Sequence, residues 1–173
     1  LEEPLLPGMS TGFEIRYSHN IINAKVIRAR GGYEFFEEDE NYIYEIAQWF
    51  PRVVSYTDYK GWQHKQFLRR GEFTLEFGDY DVTLTVPADH IVSSTGSLEN
   101  GNEVLTKTQL KRLTSANDKA PVFIVTPEEA LKKEKKSTEK TSSWHFKAEN
   151  VRDFAWSSSR KFIWDAMPAY VEE

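Results

Sequence analysis

The sequence predicts a mostly-β fold, an antiparallel sandwich-like sheet with one or two short helical insertions. Three observations carry this prediction. Short runs alternate apolar and polar residues, most cleanly at 72–77 and 81–86, and that period puts one set of side chains on one face of a strand. Gly, Pro, Asp and Asn stand between these runs, where the chain must turn. Aromatic residues reach 14%, with five Trp, eight Tyr and eleven Phe, a richness that suits rings packed on a pleated surface.

Taken in order, residues 1–10 form a loose, Pro-containing lead-in, and 11–17 (TGFEIRY) alternate as a first strand would. A second strand is expected at 21–28, followed by a turn or bulge at Gly31-Gly32. Residues 37–40 (EEDE) read as a solvated turn, because they lack the spaced Asp and Asn residues and the obligatory Gly of a calcium loop. Residues 41–50 read as a strand with aromatics on both sides, Trp49 on one and Tyr42 and Tyr44 on the other. Such a strand is buried on both faces or lines a cleft. Pro51 cannot donate to a ladder and ends it.

Turn chemistry follows at 57–61, where Asp58 suits an Asx-turn and Gly61 tolerates positive φ. The runs 72–77 and 81–86 suggest a hairpin about Gly78-Asp79, with Val82, Leu84 and Val86 facing the core. A turn at 87–89, a short strand at 90–93 and a closing Thr95-Gly96 come next. Residues 103–117 fit one short amphipathic helix, with Val104, Leu105, Leu110 and Leu113 on its apolar side. After a brief strand at 122–125, Thr126, Pro127 and Glu129 make a helix start: a cap, Pro at the first position and a capping-box Glu. The charged run 132–140 (KKEKKSTEK) has no apolar face and reads as an exposed helix fraying into a mobile loop. Strands at 144–149 and 151–157 and an apolar cluster at 162–164 close the domain. The whole is one β domain over 11–167, with a helical and charged insertion at about 103–141 and a linker at 168–173.

A chain of 173 residues holds one domain with a real core. Its net charge of −5 disfavours nucleic acid and anionic membrane surfaces as partners. No apolar run reaches the length of a membrane span. With no cysteine, the chain has no disulfide, thiol nucleophile or thiolate metal site. None of His19, His64, His90 and His145 has a second His three to five residues away, so no local zinc pair is written in the sequence. No Gly-x-Ser-x-Gly elbow and no phosphate-cradling glycine loop is present. Tyr42, Tyr44, Trp49, Tyr56, Tyr59 and Trp62 suggest a platform for stacking sugar rings, weighed against ordinary core packing, which is the more common fate of such residues.

Several linked segments resemble a known family. They are AQWFPR at 47–52, GWQHKQF at 61–67, the block GEFTLEFGDYDVTLTVPADHIVSSTG at 71–96, ENVRDFA at 149–155 and the stretch 159–164. Together they resemble the N-terminal, non-catalytic domain of gluzincin zinc aminopeptidases, the alanyl aminopeptidase and leukotriene-A hydrolase type, and most closely the larger bacterial members. The resemblance implies a saddle-shaped β domain packed against the protein's own catalytic domain, which carries the zinc and the general base. The His-Glu-x-x-His motif of that catalytic domain does not occur in these residues. The chain itself would then hold no cofactor and perform no catalysis. Its role would be to wall the substrate cleft and lend Gln48, or alternatively Glu45, to the peptide's free α-amino group. The resemblance also implies that the family's first strands precede this chain, that 127–140 is an insertion, and that the parent is periplasmic or extracellular. The rival expectation, drawn from aromatic content and acidity, is a carbohydrate-binding or adhesion β-sandwich.

Overall fold

A computed structural model describes residues 4–27, 31–65 and 73–170. Strands dominate it, and every sheet is antiparallel. The mostly-β expectation holds. After a short helix α1 (Ala24–Ile27), a four-stranded sheet runs in the order β1 (Gly32–Phe36), β2 (Asn41–Ile46), β10 (Trp156–Ser159) and β6 (Ile91–Ser94). A second sheet has β5 (Gly78–Pro87), β9 (Thr141–Val151) and β7 (Ser97–Leu98), in that order. Two small ribbons complete the β structure: β3 (Tyr56–Thr57) with β4 (Gly61–Trp62), and β8 (Val122–Val125) with β11 (Trp164–Ala166). Three more helices are α2 (Gly101–Val104), α3 (Lys107–Thr114) and α4 (Pro127–Glu134).

The core forms where β5, β6, β8 and β9 turn their apolar sides together. Leu84, Val86, Ile91, Val92, Val125, Trp144, Phe146 and Phe154 are buried there, and Trp144 and Phe146 stack at 6.3 Å. Leu84 and Val86 lie inward as the alternation at 81–86 requires, with Val82 partly buried against them. Gly96 fits its corner because its φ is +88° and a Cβ there would strike the Lys147 carbonyl.

The capping box at Thr126 is present. Glu129 N–H donates to the Thr126 hydroxyl at 3.3 Å, and the Thr126 N–H donates to the Glu129 carboxylate at 3.0 Å. An equivalent box at Thr106 and Gln109 splits the single helix expected at 103–117 into α2 and α3. Helices α3 and α4 are tied across β8, because Arg112 donates to the Glu129 carboxylate at 2.6 Å and to the Ile124 carbonyl at 3.1 Å.

Five strand expectations need correction. Residues 11–17 alternate but pair with nothing in the described structure, leaving Phe13, Ile15 and Tyr17 exposed. Within 21–28, Asn23 accepts from the N–H groups of Lys25 and Val26 and so caps α1 instead of extending a strand; Arg28 lies outside the described residues. Residues 73–77 are irregular, Glu72 lies outside the described residues, and Gly78 and Asp79 belong to β5 rather than a turn. The reason is β9, whose ladder with β5 continues to the pair Gly78–Val151. Finally, the strand read over 41–50 stops at Ile46, and the one read over 151–157 starts only at Trp156.

The charged run at 132–140 is also less free than expected. Glu134 accepts a hydrogen bond from the Asn41 side chain at its carbonyl (3.1 Å), and its carboxylate lies 3.5 Å from Lys161. No helix among the described residues is long and apolar enough to cross a membrane.

Candidate functional site

An open cleft of about 480 Å³ sits at one end of the four-stranded sheet. It is lined by the strand ends of β2 (Glu45 and Ile46, with Ala47 beyond), β6 (Ser93, Ser94, then Thr95) and β10 (Trp156 and Ser157, with Ala155 just before). The β6 wall is fixed by a small hydrogen-bond set: Thr95 N–H donates to the Ala155 carbonyl at 3.0 Å, and Ala155 N–H returns to the Thr95 hydroxyl at 3.2 Å.

Gln48 follows Ala47, the last cleft-lining residue of this segment. It is exposed, and its φ is +54°. A non-glycine residue in the left-handed region costs on the order of 1 kcal/mol. The neighbours hold it there. Trp49 donates its indole N–H to the Phe154 carbonyl at 3.0 Å and packs edge-on against Trp156. Arg52 donates to Asp153 at 2.8 Å, to the Tyr80 hydroxyl at 3.2 Å and to the Arg152 carbonyl. The segment therefore leaves β2, bends at Gln48 and is clamped onto the core from Trp49 onward. Glu45 lies three residues earlier, exposed on the cleft wall. Of the two sequence candidates for amine recognition, Glu45 lines the cleft, whereas Gln48 follows the lining residue Ala47 and is not itself among the lining residues.

The opposite end of the sheet is closed by charge pairs. Lys161 contacts the carboxylates of Asp39 and Glu134, and Arg160 Nε lies 3.3 Å from Asp89. His90 is buried beside them, 2.8 Å from the Ser158 hydroxyl, and burial holds its imidazole below the usual histidine pKa, with Asp89 pulling the other way and Arg160 and Lys133 reinforcing the shift.

The remaining histidines are dispersed. His145 Nε2 donates to Asp81 at 2.6 Å, and that bond, helped by Lys147, holds the exposed Asp81 carboxyl below its ordinary range. His64 lies 3.0 Å from the Trp62 carbonyl, and His19 stacks on Tyr17. Among the described residues no three His, Asp or Glu side chains are grouped to hold a metal ion.

The aromatic candidates divide. Trp49 packs against the core. Tyr42 and Tyr44 stack at 5.9 Å and join Tyr33 and Phe35 across the β1–β2 pair. Tyr56 and Trp62 meet edge-on at 5.1 Å on the β3–β4 ribbon, both largely exposed, as is Tyr59 in the turn between them. None of these rings is among the residues that line the cleft.

Sequence reasoning missed Ser93, Ser157 and Trp156 as cleft residues. The available signal was a hydroxyl-rich patch in two strands otherwise made of apolar residues, IVSST at 91–95 and AWSSS at 155–159. No protein-family model matches the chain, and comparisons with curated proteins and with solved structures find no match either.

Proposed function

We propose that this chain is a non-catalytic β domain that walls the substrate cleft of a zinc aminopeptidase and presents Gln48, with Glu45 beside it, to the free α-amino group of a peptide. In this reading zinc and the general base belong to a catalytic domain beyond these residues. What this chain contributes is binding and orientation. The observation that carries the reading is the backbone at Gln48. An exposed amide is held at φ +54° between the end of β2 and a segment clamped by Trp49 and Arg52. Strain kept at an exposed polar side chain is easier to understand if that side chain has a ligand to meet. An amide oxygen and a carboxylate are suitable acceptors for an ammonium group leaving water.

The test uses the full-length protein. Gln48→Ala should lower kcat/KM for free-amine peptide substrates by roughly tenfold or more, the effect of losing one hydrogen bond to a charged group. Unchanged kinetics would remove Gln48 from the site.

A second reading, a carbohydrate-binding module, is supported by the exposed Tyr42 on β2 and the exposed Tyr56 and Trp62 on the β3–β4 ribbon. It predicts that the fluorescence of the exposed Trp62 responds to an oligosaccharide. A panel of glycans with no response would count against it.

A further inference from the structure

The sheet end that lines the cleft carries a polar row in which the anchor reading uses Glu45 and leaves two hydroxyls unused. β10 pairs Ser157 with Glu45 on one side and with Ser93 on the other. A carboxylate and two hydroxyls therefore stand side by side on one face of three adjacent strands. Strands lie about 4.8 Å apart, so the row spans roughly 10 Å. All three residues line the cleft. Glu45 and Ser93 are exposed, and Ser157 is half-buried. Among the described residues none of the three side chains has a hydrogen-bond or ion-pair partner.

The neighbouring serines behave differently. Ser158 lies against His90 at 2.8 Å, and Ser159 donates to the Tyr42 carbonyl at 2.7 Å. On β10 the two buried hydroxyls are thus committed inside the protein, whereas the one facing the cleft is not. Nothing in the packing calls for a hydroxyl at position 157 or 93, and β-branched residues suit a strand better than serine.

We propose that Glu45, Ser157 and Ser93 form a binding track for an α-amino amide, the N-terminal unit of a peptide. This inference rests on the aminopeptidase reading and extends it along the cleft wall. Glu45 takes the ammonium group, Ser157 offers it a second acceptor, and Ser93 hydrogen-bonds the amide that follows. An ammonium has three donors and no acceptor, so it needs several oxygens around it once desolvated. A serine hydroxyl both donates and accepts, which suits an amide carrying N–H and C=O. An extended peptide advances about 3.3 Å per residue, so its first amide falls within one or two strand spacings of its ammonium. A sugar is the weaker fit here, because the only ring among the lining residues is Trp156, which is packed edge-on against Trp49.

The test is an NMR titration of the isotope-labelled chain with L-alanyl-L-alanine amide, alongside N-acetyl-L-alanine amide and methyl β-glucoside. Amide shifts at Glu45, Ser157 and Ser93 with the first probe alone are the expected result. Ser157→Ala and Ser93→Ala should each weaken binding by roughly three- to tenfold, and Glu45→Gln by more, since hydrogen bonds to a charged group are the stronger ones. Both serine sites reach the surface, so the fold should survive, which an unchanged spectrum away from the cleft would verify. Shifts at Glu45 and Gln48 that neither serine variant alters would overturn the track while leaving the amine anchor standing. No shift with the free-amine probe, equal shifts with the acetylated one, or shifts with the glucoside alone would overturn the track and count against the anchor as well.

Discussion

The two ends of the four-stranded sheet are built from the same strands yet treat polar side chains in opposite ways. Near α4, Asp39, Glu134 and Lys161 are mostly shielded and drawn together, Asn41 is buried, and its amide donates to the Asp39 carbonyl at 2.8 Å and the Glu134 carbonyl at 3.1 Å. At the other end Glu45, Gln48 and Ser93 face water. Burying a polar group without a partner costs on the order of 1–3 kcal/mol, whereas leaving it solvated costs almost nothing. The closed end therefore docks α4 onto the sheet and constrains the fold. The open end is free to change its hydrogen-bond partners, which is what a ligand requires.

This contrast can be broken from beneath. Phe154 is fully buried, packs on Tyr80, and its carbonyl holds Trp49. Phe154→Ala should cost about 3–5 kcal/mol in urea denaturation, because it leaves a cavity under the clamp at the open end. A loss below about 1 kcal/mol would mean that the clamp does not depend on this packing. The next largest effect is expected at the closed end. Lys161→Met removes the cation shared by Asp39 and Glu134, and leaving those partly buried carboxylates uncompensated should cost about 2 kcal/mol. A variant as stable as the parent would show that the pairs only decorate the surface.

Acid probes the closed end more gently. The pKa of His90 is depressed in the folded protein, chiefly by burial, so the unfolded chain binds the proton more readily. The stability that comes from keeping His90 neutral is fully present above the unfolded value of about 6.5 and is lost as pH falls through the folded value. Midpoints of denaturation should therefore drop between neutral and mildly acidic pH, and His90→Gln should flatten that part of the profile. An unaltered profile in the variant would assign the pH dependence to other groups.

The open end should respond in the opposite sense. Gln48→Gly relieves a left-handed backbone that suits glycine, and stability should rise by up to about 1 kcal/mol. Glu45→Gln, at an exposed and unpaired position, should change stability by less than about 0.5 kcal/mol. Polar residues retained where they do not help the fold are the signature expected of a binding surface.

Local rules made some of this legible. Thr126, Pro127 and Glu129 announce α4 because a capping box is satisfied within four residues. The same logic was available at Thr106 and Gln109, but reading 103–117 as one periodic helix concealed it. Alternation misleads where the partner is missing from view. Residues 11–17 and 81–86 share the period, yet only the second meets a strand, β9, that pairs with it throughout. At the candidate site, Gln48 and Glu45 came from resemblance alone. The left-handed bend at Gln48 could not be read, since glutamine carries no preference for positive φ. The row through Ser157 and Ser93 was hidden for another reason: strand register creates it, pairing Ser157 with Glu45, 112 positions earlier, and with Ser93, 64 positions earlier.

The most direct test of the account is to measure stability and amine recognition together on Gln48→Gly in the full-length protein. The account predicts a higher denaturation midpoint and a kcat/KM for free-amine substrates reduced by roughly tenfold or more. A more stable protein with unchanged recognition of free amines would contradict it, because the strain at Gln48 would then serve no ligand.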